Sequence, residues 1–72
     1  MKEPQLQNRL RPARAAKNLS QTELADLVGV TRQTIGSIES NRYCPSTLLA
    51  LRLASVLGTS VEELFYLDGD PS

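Results

Sequence analysis

The sequence has no histidine and no tryptophan, a single cysteine (Cys44), and three aromatic residues, Tyr43, Phe65 and Tyr66. One thiol without histidine cannot assemble a zinc site, and an internal disulfide is excluded. Cys44 therefore reads as a small loop residue. No nucleophile–base pair and no phosphate-cradling glycine loop occurs, so neither catalysis nor a bound cofactor or metal is expected. No stretch approaches the roughly 20 apolar residues of a membrane span, and the N-terminal end lacks the apolar run of a signal peptide. A cytoplasmic address is the resulting expectation. Repeats, low-complexity tracts and period-two strand patterns are also missing.

What remains is a short chain rich in helix formers. Its 72 residues suffice for one small domain, and twelve leucines against three aromatics point to an aliphatic, helix-built core. Net charge is zero, but its distribution is uneven. Residues 1–52 hold all eight basic residues and four acidic ones, a net +4, whereas residues 53–72 hold four acids and no base, a net −4. Such polarity hints at one side that faces a polyanion and another that is averted from it. The neutral total still implies weak sequence-independent binding, because that term comes from phosphate neutralisation.

Helix signals follow one another closely. A first helix is expected over about Leu6 to Lys17, with Leu6, Leu10 and Ala13 inward and Asn8 available as a cap. Pro12 has no amide to give the carbonyl four residues back, so either the helix begins near it or the segment kinks. Asn18 stops this helix, and Ser20-Gln21-Thr22-Glu23 has the form of a capping box. The second helix runs from Gln21 to about Val28, with Leu24, Leu27 and Val28 inward and Gly29 as its left-handed stop. Thr31 caps a third helix that ends near Ser40, with Asn41 as the stop. Pro45-Ser46 opens a fourth, about Thr47 to Leu57, with Leu48, Leu51, Ala54 and Leu57 inward and Gly58 closing it. Ser60-Val61-Glu62-Glu63, a second capping box, starts a short fifth helix ending near Tyr66 or Leu67. The expected architecture is all-α.

The second and third helices are joined only by Gly29-Val30-Thr31, the length of a helix-turn-helix connection. A crossing that tight needs a small residue on the second helix (Ala25), an unrestricted backbone in the turn (Gly29) and a branched anchor on the third helix (Ile35). All three are present at compatible spacing. The outward side of the third helix then carries Arg32, Gln33, Thr34 and Ser37, rich in hydrogen-bonding groups and free of acid. Gly36, within that helix, costs about 1 kcal/mol relative to alanine; it either permits close approach or is simply tolerated. Glu39 would repel phosphates and is expected to pair with Arg14 instead.

The stretch LSQTELADLVGVTRQTIGSIESNRYCPS resembles the helix-turn-helix of the Cro/CI-type (XRE) repressors, and the resemblance extends from about Asn8 to Phe65, including the final VEELF. It is closest to short, single-domain members. It implies a compact five-helix domain of lambda-repressor-like type over residues 6–67, between an N-terminal extension (1–5) and a polar tail (68–72). It also implies dimeric, non-catalytic regulators of bacterial or phage origin that bind double-stranded DNA. Carried over by position, Arg32, Gln33 and Ser37 match the base-reading positions. Arginine suits guanine and glutamine suits adenine through paired hydrogen bonds. Gln21 matches a phosphate-binding glutamine, in keeping with the free amides at a helix start. Thr31 and Thr34 sit where hydroxyls meet phosphate or a thymine methyl, and Asn41, Arg42 and Tyr43 follow the recognition helix where the backbone is contacted.

Tyr66 and Leu67 fall beyond the expected packing and are candidates for a homodimer contact. The function implied is a sequence-specific regulator, a repressor in the first instance, on a palindromic operator. The alternative is a helical protein-interaction module, antitoxin-like, that binds a protein partner through its acidic C-terminal half. The acid-free polar face of the third helix speaks against that alternative, since protein interfaces favour apolar centres.

Overall fold

The computed structural model describes residues 5–68; residues 1–4 and 69–72, expected as part of the extension and of the tail, lie outside the described residues. In chain order the elements are β1 (Gln5–Asn8), α1 (Leu10–Ala16), α2 (Gln21–Val28), α3 (Arg32–Glu39), α4 (Thr47–Leu57), α5 (Val61–Leu64) and β2 (Phe65–Asp68). Five helices are present, but the fold is not strictly all-α. β1 and β2 pair antiparallel, with Gln5 opposite Asp68, Leu6 opposite Leu67, Gln7 opposite Tyr66 and Asn8 opposite Phe65. Gln5 and Asp68, assigned from sequence to the extension and the tail, thus form the end of a ribbon.

Pro12 explains why α1 does not reach back to Leu6. It stands third in α1, within the first turn, where amides have no acceptor inside the helix. A helix reaching back to Leu6 would have placed the proline in its interior, so the residues before Leu10 are extended instead. The first in-helix bond is Ala13 N–H to the Arg9 carbonyl, 3.1 Å. The N-cap of α1 is Arg9, which makes no side-chain cap bond, and not Asn8; one residue earlier, Asn8 Oδ1 accepts from the Leu10 amide at 3.0 Å. At the other end of the chain α5 stops at Leu64, short of the expected Tyr66 or Leu67. Phe65 is already extended, at φ −124° and ψ 136°, because its segment pairs with β1.

The remaining boundaries follow local chemistry. Ser20, Thr31, Ser46 and Ser60 each accept from a first-turn amide of the helix they precede, and Ser20 with Glu23 completes the capping box. Gly29 and Gly58 close α2 and α4 at φ 79° and 67°, and Asn18 and Asn41 take the same left-handed region at φ 56° and 63°. Among the described residues no helix is long and apolar enough to cross a membrane.

The core is aliphatic, as the leucine content suggests, with Leu10, Leu24, Ile35, Ile38, Leu53 and Leu64 fully buried. Three leucines expected inside are not there: Leu27 is 58% exposed, Leu48 60% and Leu51 56%. At about 100° per residue, Leu24, Ala25 and Val28 form one arc that leaves Leu27 to the side. On α4 the buried residues are Leu49, Ala50, Leu53, Ala54 and Leu57. That set outcompetes the stripe through Leu48 and Leu51, which sits on the opposite side of the cylinder. Leu53→Ala is expected to cost about 2–5 kcal/mol in chemical unfolding, and Leu48→Ala less than about 0.5 kcal/mol.

Candidate nucleic-acid interface

The geometry begins at the elbow between α2 and α3. Gly29 N–H and Val30 N–H both donate to the Ala25 carbonyl, at 2.9 and 3.0 Å, which turns the chain sharply after Val28. Ala25 and Ile35 are both buried, so the two helices meet through a small residue and a branched anchor. With Ile35 and Ile38 inward, the opposite side of α3 is presented to solvent.

That side forms an open polar cleft of about 380 Å³ lined by Thr31, Gln33, Thr34, Ser37, Arg42 and Tyr43. Six of the nine residues singled out from sequence as DNA-facing are brought together there. Arg32, exposed at the first turn of α3, lies outside the lining, as do Gln21 and Asn41. The Thr31 hydroxyl already accepts from the Thr34 amide at 3.2 Å and lies 3.0 Å from the Thr34 hydroxyl, so it shapes the start of α3. Beyond α3, Arg42 N–H and Tyr43 N–H both donate to the Ser37 carbonyl, at 2.8 and 3.3 Å, folding the following loop back beside the helix. Asn41 instead turns its side chain toward β1, donating to Gln7 Oε1 at 2.9 Å and accepting from Asn8 Nδ2 at 2.7 Å.

Gln21 is half-buried, and its Nε2 donates to Glu39 Oε1 at 2.9 Å. The same carboxylate receives Arg14 Nε at 2.8 Å, and Arg11 Nε lies 3.5 Å away. The Arg14–Glu39 pair is thus present as expected, whereas the tie to Gln21 went unread in the sequence. Its only sequence signal is the position of Glu39 at the end of the helix that crosses over Gln21. One proton of the Gln21 carboxamide is committed to Glu39 and the other remains for an outer acceptor. A Cβ on Gly36 would meet Gln21 Nε2 at 3.8 Å, an ordinary contact, so the glycine is not required by the fold at this point.

Two other arginines reach carbonyls near helix ends. Arg9 Nη1 donates to the Glu63 carbonyl at 3.3 Å, and its guanidinium lies 4.1 Å over the Tyr66 ring. Arg52 reaches the Val28 carbonyl at 3.5 Å, and the Lys17 ammonium lies beside Gly58. Arg32 and Arg42 make no ion pair or hydrogen bond through their side chains among the described residues. The two residues named as dimer candidates separate, since neighbours on a strand point to opposite faces. Leu67 shares a face with Leu6, its partner in register, while Tyr66 stacks under Arg9 on the other. Leu6 also lines an apolar groove of about 370 Å³ with Pro45, Leu51, Val61 and Phe65.

A family model described as helix-turn-helix matches residues 10–64. An uncharacterized HTH-type transcriptional regulator of Methanothermobacter thermautotrophicus is 50% identical over 62 residues, covering 85% of this chain and 90% of that protein. The uncharacterized HTH-type transcriptional regulator YgzD of Bacillus subtilis is 40% identical over 63 residues, covering 88% and 96%. Among solved structures, the restriction-modification controller protein C.AhdI of Aeromonas hydrophila superposes with a TM-score of 0.71 at 40% identity, covering 76% of this chain and 80% of that one.

Glu39 makes the interface sensitive to acid. Burial pushes its pKa up, but hydrogen bonds from Arg14 and Gln21, the Arg14 charge and the Arg11 bond outweigh it and hold the carboxyl below its ordinary 4.5. A depressed folded-state pKa contributes stability that is present above the unfolded value and is lost as pH falls through the folded one. Unfolding at pH 7 and across the range below about 4.5 is therefore expected to show acid destabilisation that Glu39→Gln reduces. Glu39→Ala, which leaves Arg14 without its anion, is expected to cost about 3 kcal/mol at pH 7, the lower end for a broken buried pair because Arg14 keeps some solvent.

Proposed function

The chain belongs to the XRE-type helix-turn-helix family of DNA-binding transcriptional regulators, and from that premise we propose that it acts as a homodimeric, operator-specific repressor. The observation that carries this reading is the cleft beside α3: hydroxyls, a carboxamide and a guanidinium converge on one surface with no carboxylate in its lining. Arg32, Gln33 and Ser37 lie along the outward side of α3 and are assigned to base edges in the major groove. Gln21, Thr31, Thr34, Arg42 and Tyr43 surround them and are assigned to phosphate and sugar. Arginine forks onto guanine and glutamine onto adenine, each good pair discriminating by about 1–3 kcal/mol.

Affinity arithmetic supports two copies. Few cations remain free to neutralise phosphate, so one module with a handful of base contacts binds loosely, and two half-sites about 34 Å apart make a usable operator. The apolar groove offers the surface for the second copy. Leu51 lines it, Leu48 stands one turn earlier on the same side of α4, and Leu67 continues the Leu6 face. A two-fold contact requires one self-complementary patch, which this face can supply. Tyr66, already stacked under Arg9, is assigned to the margin of that contact. Control then rests on occupancy of the operator in competition with polymerase.

Selection of bound sites from random duplexes is expected to return a palindrome, and the selected operator placed over a reporter promoter is expected to lower its output. Arg32→Ala and Gln33→Ala should each relax preference at one base pair by about 1–3 kcal/mol, whereas Gln21→Ala should weaken all sequences alike. With Arg42 of each protomer as the phosphate partner, the slope of log K against log salt is expected at about −2 for the dimer, from about 0.9 per neutralised phosphate. No retention of any duplex at low salt would overturn the DNA reading in favour of a protein partner.

A further inference from the structure

The loop after α3 carries Arg42 and Tyr43 on the edge of the cleft, yet its own backbone is tied to the neighbouring helix only through the Ser37 and Ile38 carbonyls. A second set of bonds reaches it from β1, a segment far away in sequence. Asn8 Nδ2 donates to the Ile38 carbonyl at 2.9 Å and to Asn41 Oδ1 at 2.7 Å, and Asn41 Nδ2 donates to Gln7 Oε1 at 2.9 Å. The Ile38 carbonyl also accepts the Asn41 amide at 3.0 Å, so both of its lone pairs are used. Asn41 itself is at φ 63°, the left-handed turn that sends the chain back toward Ser37.

We propose that Gln7, Asn8 and Asn41 form a clamp that sets the Arg42–Tyr43 loop in its DNA-meeting shape, so that Asn41 is a positioning residue and not a phosphate contact. This rests on the proposed contacts of Arg42 and Tyr43. The Asn41 carboxamide is engaged at both its oxygen and its nitrogen, and Asn41 is not among the residues that line the cleft. Asn8 is bifunctional: its oxygen accepts the Leu10 amide while its nitrogen holds the end of α3, so the start of the first helix and the exit of the third share one carboxamide. Each exposed bond is weak by itself. Their convergence on one left-handed residue is what restricts the loop, and it does so before DNA arrives, which lowers the ordering cost of binding.

Two substitutions separate this role from a general loss of fold. Asn41→Gly keeps the left-handed backbone available and removes the carboxamide. Asn8→Asp keeps the acceptor for the Leu10 amide and removes the donor, setting a carboxylate against two oxygens. Both variants are measured beside Arg42→Ala by DNA binding to a selected operator over a salt series, with thermal unfolding of the free protein as the control. The expected result is that Asn41→Gly and Asn8→Asp melt within a few degrees of the parent. They should bind every duplex on the order of tenfold more weakly, with the base preference unchanged and the salt slope reduced by about one per protomer. Asn41→Gly combined with Arg42→Ala should then lose little more than Arg42→Ala alone. If Arg42→Ala weakens binding while Asn41→Gly leaves it intact, the clamp is refuted and the loop contacts stand. If the two losses simply add, Asn41 acts on DNA independently and the clamp is likewise refuted. If none of the three variants changes affinity or slope, both the clamp and the assignment of Arg42 to phosphate are overturned.

Discussion

A single carboxylate ties together the half of this molecule that carries the helix-turn-helix. The Glu39 side chain is fully enclosed and accepts from Arg14 on α1 and Gln21 on α2 while itself closing α3. Three helices that otherwise meet through small aliphatic patches are thereby fixed in relative orientation by directional, charge-assisted bonds. The elbow at Gly29 sets how closely α2 and α3 cross, but it leaves the rotation of α3 about its own axis to packing alone. Glu39 removes that freedom. Which residues of α3 look outward therefore depends on a group that does not look outward itself.

The parts of the fold that were legible in the sequence are those decided within one helical turn. Ser20 with Glu23, Thr31, Ser46 and Ser60 mark helix starts through their own hydroxyls, and Gly29 and Gly58 mark ends through their own backbone freedom. The α2–α3 elbow was readable for the same reason, since Ala25, Gly29 and Ile35 lie close along the chain. The ribbon was not readable. Gln5–Asn8 and Phe65–Asp68 are too short to show alternation, and each becomes a strand only because the other is there. Pro12 pointed to a helix start or a kink without choosing between them. The inward side of α4 was misjudged because leucines occur all round it, so that burial is decided by what packs against it and not by periodicity.

The candidate site shows the same division. That Gln33, Thr34, Ser37, Arg42 and Tyr43 share one surface was legible because a helix and its exit turn fix them locally. Asn41 and Gln21 were read as pointing toward a partner, and both are engaged by residues of other elements, Gln7 and Asn8 in one case and Glu39 in the other. Polar side chains at a site satisfy neighbours first, and a sequence motif does not say which neighbours those are. The basic residues repeat the lesson. A net +4 over residues 1–52 suggested a broad cationic face, yet Arg9 and Arg52 reach carbonyls near helix ends and Arg14 and Arg11 attend Glu39. Among the described residues, much of that charge is already engaged within the fold.

Among the described residues, the ribbon joins the stretches most remote along the chain, Gln5–Asn8 with Phe65–Asp68. Closing so large a loop costs more chain entropy than any helix-to-helix contact, and the return from two short strands is small. Its pairing is therefore a late event in folding and an early one to open in the native ensemble, ahead of the helical body. Amide exchange along β1 and β2 would then run faster than along α2.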